Sequence, residues 1–78
     1  MDPSLALVPH KSVGENIEFP LKLRGENKNR IKERVLELLD LLDLPDNFYN
    51  KRINQCSGGE QQRIALARAL AFDPEILF

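Results

Sequence analysis

Seventy-eight residues allow one small domain or a piece of a larger one, and a chain of this size buries only about 60 % of the surface it exposes when unfolded. Its single cysteine and single histidine exclude an internal disulfide and a Cys/His metal cluster, so no such staple supplements the core. Eleven basic against twelve acidic residues give a net charge of −1, which argues against nucleic-acid binding by bulk positive charge, and no apolar run approaches the ~18 residues that span a bilayer.

Residues 1–11 read as extended or loop, because Pro3 and Pro9 fix their own φ and push Asp2 and Val8 away from helical angles. Ser12-Val13-Gly14-Glu15 has the form of a capping box, in which Ser12 and Glu15 satisfy each other's amides. It opens a predicted helix over 12–25, with Val13, Ile17, Phe19 and Leu21 as burial candidates. Pro20 should kink or split that helix, and Gly25 should end it.

A second helix is predicted over 28–44, where Ile31, Val35, Leu38, Leu39 and Leu42 recur at three- and four-residue steps. Leu36 and Leu41 broaden the stripe and predict burial on more than one side. Leu44-Pro45-Asp46-Asn47 reads as a stop and turn, and 48–56 as an irregular connector. Ser57-Gly58-Gly59-Glu60 repeats the capping pattern and opens a third helix over 57–72, rich in alanine and leucine. Residues 75–78 form an apolar run of β type. The expected fold class is all-α: a small unit of three or four helices that ends at the start of a β-strand.

The chemistry lies in Ser57-Gly58-Gly59. The first amides of a helix lack internal partners and gather about half a positive charge at that end. Two glycines remove the Cβ atoms that would keep an anion off the backbone, and the serine hydroxyl adds a donor. Such a turn binds a phosphate; it contains neither base nor nucleophile.

The run Ser57-Gly58-Gly59-Glu60-Gln61-Gln62-Arg63, then Ile64-Ala65-Leu66-Ala67-Arg68-Ala69-Leu70 and Asp73-Pro74-Glu75-Ile76-Leu77-Phe78, resembles the signature region of ABC (ATP-binding cassette) ATPases. Cys56 stands where that family usually has Leu, and Glu60 where it has Gln. Leu7 to Val13 and Glu15-Asn16-Ile17 are similar to the stretch after the family's Q-loop. The resemblance implies the helical subdomain of a P-loop ATPase: 1–11 as the post-Q-loop segment, 12–25 as a kinked helix, 28–44 as an amphipathic helix, 57–72 as the signature helix and 75–78 as the start of the acidic-motif strand. It implies that Ser57, Gly58 and Gly59, with Glu60 a lesser candidate, contact the γ-phosphate of ATP bound by a second cassette. Leu7, Val8, Pro9 and His10 would face transmembrane permease subunits, which places the chain in the cytoplasm against the inner face of the membrane. No nucleic acid is implied as a partner.

No G-x-x-x-x-G-K-[ST] occurs in the chain, and phosphoryl transfer needs that loop together with metal and water-positioning groups. Magnesium and the catalytic acid would come from the rest of such a core. The expectation is therefore a fragment with no catalytic and no metal-binding residue of its own, inactive alone. Glu60 is expected to cap its own helix, since a carboxylate repels a phosphate. His10 is read as a surface or packing residue, Cys56 as a small core residue, and Arg63 and Arg68 as structural. Glu15 to Leu21 with the Glu60 variant lean toward the lipoprotein-release and macrolide-export branch, whereas Pro9 to Val13 are nearer to importers. A non-transport ABC ATPase and a stand-alone helical interaction module are the rival readings.

Overall fold

The computed structural model describes residues 6–72. Helix α1 (Val13–Leu23) begins at Ser12, whose Oγ accepts from the Glu15 amide at 3.0 Å while Glu15 Oε1 accepts from the Ser12 amide at 3.0 Å. These bonds, led by the one from the Ser12 backbone, hold the Glu15 carboxyl below its usual pKa. The helix is not split at Pro20 but continues as one element. Proline removes one intrahelical bond; its ring is buried, so packing offsets that loss. Val13, Ile17 and Leu21, spaced four apart, are fully covered, whereas Phe19 is 47 % exposed and does not join the core. It lies off the stripe that a four-residue step defines.

Helix α2 (Lys28–Leu41) starts at Asn27, whose Oδ1 accepts from the Asn29 amide at 2.9 Å. Ile31, Val35, Leu38 and Leu39 are buried. Leu36 and Leu42 are half-buried and Leu41 is 60 % exposed, so α2 buries one face only and the expected second burial surface is absent. The helix ends at Leu41 where the pattern ran on to 44, because the next residues turn back through a left-handed position.

Both helices finish with the same double hydrogen bond. In α1 the Glu26 amide donates to Leu21 O at 3.0 Å and the Gly25 amide to Lys22 O at 3.0 Å, with Gly25 at φ +77°. In α2 the Leu44 amide donates to Leu39 O at 2.8 Å and the Asp43 amide to Asp40 O at 3.1 Å, with Asp43 at φ +60°. Glycine adopts this conformation freely and aspartate against a steric cost. Gly25→Ala is thus expected to destabilise the chain by about 1 kcal/mol, and Asp43→Gly to stabilise it by about 0.5 kcal/mol once the added unfolded-state entropy is deducted. Urea midpoints followed by circular dichroism would read both.

The stretch expected to be irregular contains two 3-10 turns, Asp46–Asn50 and Ile53–Gln55. It is laced to the entry of α1: the Val13 amide donates to Lys51 O at 2.7 Å, that of Ile53 to Lys11 O at 3.2 Å, and that of Asn54 to Pro9 O at 3.1 Å. Tyr49 lies on Gly14 and its hydroxyl donates to Glu18. Burial, then the Glu18 hydrogen bond, pushes the Tyr49 pKa up to about 12. The third helix is α3 (Gly58–Phe72), which packs Ile64, Ala67, Leu70 and Ala71 against α1 and α2. Arg63 Nη1 donates to Leu42 O at 3.4 Å and Asp43 O at 3.3 Å, so α3 closes the carbonyl end of α2.

Among the described residues there are three α-helices and no strand, as an all-α subdomain requires. The expected strand start at 75–78 and the first residues of the 1–11 segment lie outside them.

Candidate functional site

The amino end of α3 is shaped by a second capping box. Ser57 Oγ accepts from the Glu60 amide at 3.1 Å, and Glu60 Oε1 accepts from the Ser57 amide at 2.8 Å. The Ser57 carbonyl already receives the Gln61 amide at 2.9 Å. This leaves the amides of Gly58 and Gly59 with no acceptor among the described residues, at the electropositive end of a 15-residue helix.

Both glycines are exposed, and a Cβ built on either would meet nothing within 4 Å. The contrast with Gly14 is informative. There a Cβ would come within 2.8 Å of Tyr49 O and 2.9 Å of its ring, so the fold itself demands glycine. At 58 and 59 the fold makes no such demand. The space a Cβ would take there is open among the described residues, and the donors at hand, two amides and the serine hydroxyl proton, are of the kind a phosphate oxygen accepts from.

Glu60 is turned back onto its own helix. Its carboxylate holds the Ser57 amide and lies 3.9 Å from Lys51 Nζ, which itself sits 4.3 Å above the Phe48 ring. The Ser57 backbone bond and the nearby Lys51 charge keep its carboxyl below the usual range. Behind the turn, Gln61 Nε2 donates to Ile53 O at 3.2 Å and Cys56 O at 3.1 Å, pinning the connector to α3. Cys56 is buried in the core with its thiol directed at Arg52 O, 3.4 Å away, and burial pushes its pKa up. It is a packing residue with little thiolate character.

The segment expected to face a partner lies elsewhere. Leu7 and Val8 are half-buried, and Pro9 and His10 are exposed on a turn closed by the Lys11 amide on Val8 O at 3.1 Å. Next to this turn a groove of about 280 Å³ opens between Val8, Lys11, Glu15, Phe19 and Lys22. None of residues 57–60 lines it, so the glycine turn and the groove are separate features. Lys22 pairs with Glu18 at 3.8 Å on one wall. Asn16, which the Glu15-Asn16-Ile17 similarity names without giving it a role, is 2 % exposed and bonded to the backbone of both Val8 and Ser12. An amide side chain within the apolar face of α1 was the available signal.

Among the described residues no group of His, Cys, Asp and Glu could hold a metal ion. Among them, too, no helix is long and apolar enough to cross a membrane.

The profile of the ABC transporter family matches residues 2–78. The Fe(3+) ions import ATP-binding protein FbpC of Photorhabdus laumondii is 53 % identical over 74 residues, covering 95 % of this chain and 21 % of that protein. The spermidine/putrescine import ATP-binding protein PotA of Treponema pallidum is 54 % identical, covering 95 % and 19 % respectively. Its namesake in Acetivibrio thermocellus is 51 % identical over 72 residues, covering 92 % and 20 %. The chain thus spans about a fifth of the length of the curated relatives it matches. With its Ser57–Arg63 turn and three-helix architecture, the chain belongs to the ABC transporter family.

Proposed function

We propose that this chain is the helical signature subdomain of the ATP-binding subunit of an ABC importer. Within a whole cassette, Ser57 and the amides of Gly58 and Gly59 grip the γ-phosphate of ATP held by a second cassette, and the paired cassettes couple ATP binding and hydrolysis to transport. The observation that carries this reading is the pair of glycine amides, unengaged among the described residues, at a helix start where no described residue would meet a Cβ. Glu60 serves the cap and leaves the phosphate to its neighbours. Magnesium, P-loop and catalytic acid come from the rest of the cassette, so the 78 residues alone turn over no ATP.

Leu7 to His10 and the groove beside them receive the permease, which keeps the subunit at the cytoplasmic face of the membrane. The export-side leaning taken from Glu15 to Leu21 gives way here, because the relatives are named for import. Those names divide between an inorganic cation and polyamines at similar identity, so the cargo is read outside this segment.

The test grafts residues 1–78 into the Photorhabdus relative in place of its matching stretch. Gly59→Asp, which sets a carboxylate beside the free amides, should lower ATP-driven dimerisation and cut hydrolysis by about 10²-fold, the scale of losing an oriented donor at a developing charge. Unchanged hydrolysis would overturn the phosphate assignment.

A further inference from the structure

A buried polar network links the turn at Val8 to α3. Asn16 Oδ1 accepts from the Val8 amide at 2.7 Å and from Arg68 Nη1 at 3.2 Å, while its Nδ2 donates to Val8 O at 3.2 Å and Ser12 O at 2.8 Å. Every hydrogen-bonding position of the amide is filled. Arg68 is 4 % exposed, and its Nη1 also reaches Ala6 O at 2.7 Å. The guanidinium lies against a pair of rings, 5.4 Å from that of Phe19 and 5.9 Å from that of Phe72, which meet edge-on at 6.4 Å. Its Nε finds no acceptor among the described residues.

This arrangement is costly for a core. Apolar side chains of similar volume would hold three helices together as well, and a buried charge must be desolvated. What the polar network adds is a fixed register, since sliding would take a nearly buried amide and guanidinium off their partners. The segment that carries Leu7 to His10 therefore cannot shift relative to α3 without breaking bonds to Asn16 and Arg68. From Arg68 a continuous helix leads back to Ser57, about 17 Å away at 1.5 Å per residue.

We infer that Asn16 and Arg68 are positioning residues that tie the permease-facing turn to the signature helix, so that displacement at Leu7 to His10 moves Ser57 to Gly59 as one body. The inference rests on the contact and phosphate assignments proposed above. Neither residue touches nucleotide in this scheme. Each acts by making two distant surfaces mechanically one.

The experiment uses the grafted cassette, assembled with its host's permease in liposomes and also measured permease-free. Asn16→Asp keeps the size and acceptors but loses both donors and turns a carboxylate toward the carbonyls of Val8 and Ser12. Arg68→Lys keeps the charge but ends one bond short of Nη1, the atom that donates to both Ala6 O and Asn16 Oδ1. For each, stimulation by the permease should fall at least about five-fold, the lower end of coupling between linked sites. Permease-free hydrolysis and co-purification with the permease should stay at parental levels. Stimulation retained in both variants, or a parallel fall of both activities, would overturn the tie; if Asn16→Asp melts below the assay temperature, Arg68→Lys decides. His10→Glu separates the two layers: if it leaves permease binding and stimulation untouched, the contact assignment is wrong and the inference goes with it.

Discussion

Replacing Gly14 by alanine is expected to destabilise the chain by about 2 kcal/mol, and replacing it by valine by more, in the range of overpacked cores. A methyl group at this position meets Tyr49 O at 2.8 Å and two ring atoms at 2.9 Å. Neither can yield cheaply. The carbonyl belongs to the 3-10 turn Asp46–Asn50, and the ring is held by the Tyr49 hydroxyl on Glu18 and by Lys32 Nζ 5.0 Å from its centroid. Alanine does favour the helix over glycine by roughly 0.5–1 kcal/mol, but the clash outweighs it. Gly58→Ala is the internal control: with nothing within 4 Å of its Cβ, it should leave stability unchanged or slightly raised. Urea unfolding of the 78-residue chain followed at 222 nm would compare the pair, and a Gly14→Ala midpoint equal to that of Gly58→Ala would remove the Tyr49 contact from the account.

Gly14 also shows where sequence reasoning stops. As a sequence, Ser12-Val13-Gly14-Glu15 reads as a capping box, and the box is present; nothing local announces that Tyr49 will lie on the glycine. The same limit applies to Asn16 and Arg68, which lie 52 positions apart and bond side chain to side chain. Local signals did better. The second Ser-x-x-Glu pattern, the stop at Gly25 and the four-residue repeat of α1 are each set by neighbours within one or two helical turns, and each is found. Phe19 as a burial candidate and Leu41 as part of a broadened stripe are expectations that the structure does not bear out. Each lies off the buried stripe of its helix: beside Leu41, Leu38 and Leu39 are covered and Leu42 packs on the core. Of the two 3-10 turns after Pro45, only the start of the first is legible, as the turn at Leu44 to Asn47, because both are too short to have a period. At the glycine turn, the Ser-Gly-Gly motif at a helix start named the residues, and only the structure showed that no described residue would meet a Cβ there.

Ile17→Ala should cost about 3 kcal/mol, the middle of the range for truncating a buried aliphatic side chain. Ile17 is fully covered, at the centre of the one face of α1 that meets the other two helices, and it shares that face with Val13 and Leu21. A chain of 78 residues holds roughly 4–12 kcal/mol in total at about 0.05–0.15 kcal/mol per residue. Losing about 3 kcal/mol then leaves little reserve at the low end, so the variant should show a measurable unfolded fraction before denaturant is added. The comparison that makes the number informative is Leu23→Ala on the same helix. That residue is 64 % exposed, and its truncation should stay within about 0.5 kcal/mol. Equal losses at the two positions would mean that α1 is held by its helix propensity and caps. The expected gap of more than 2 kcal/mol would instead mean that α1 is held by its buried stripe, and through α1 so are the Val8 turn and its bond to α3.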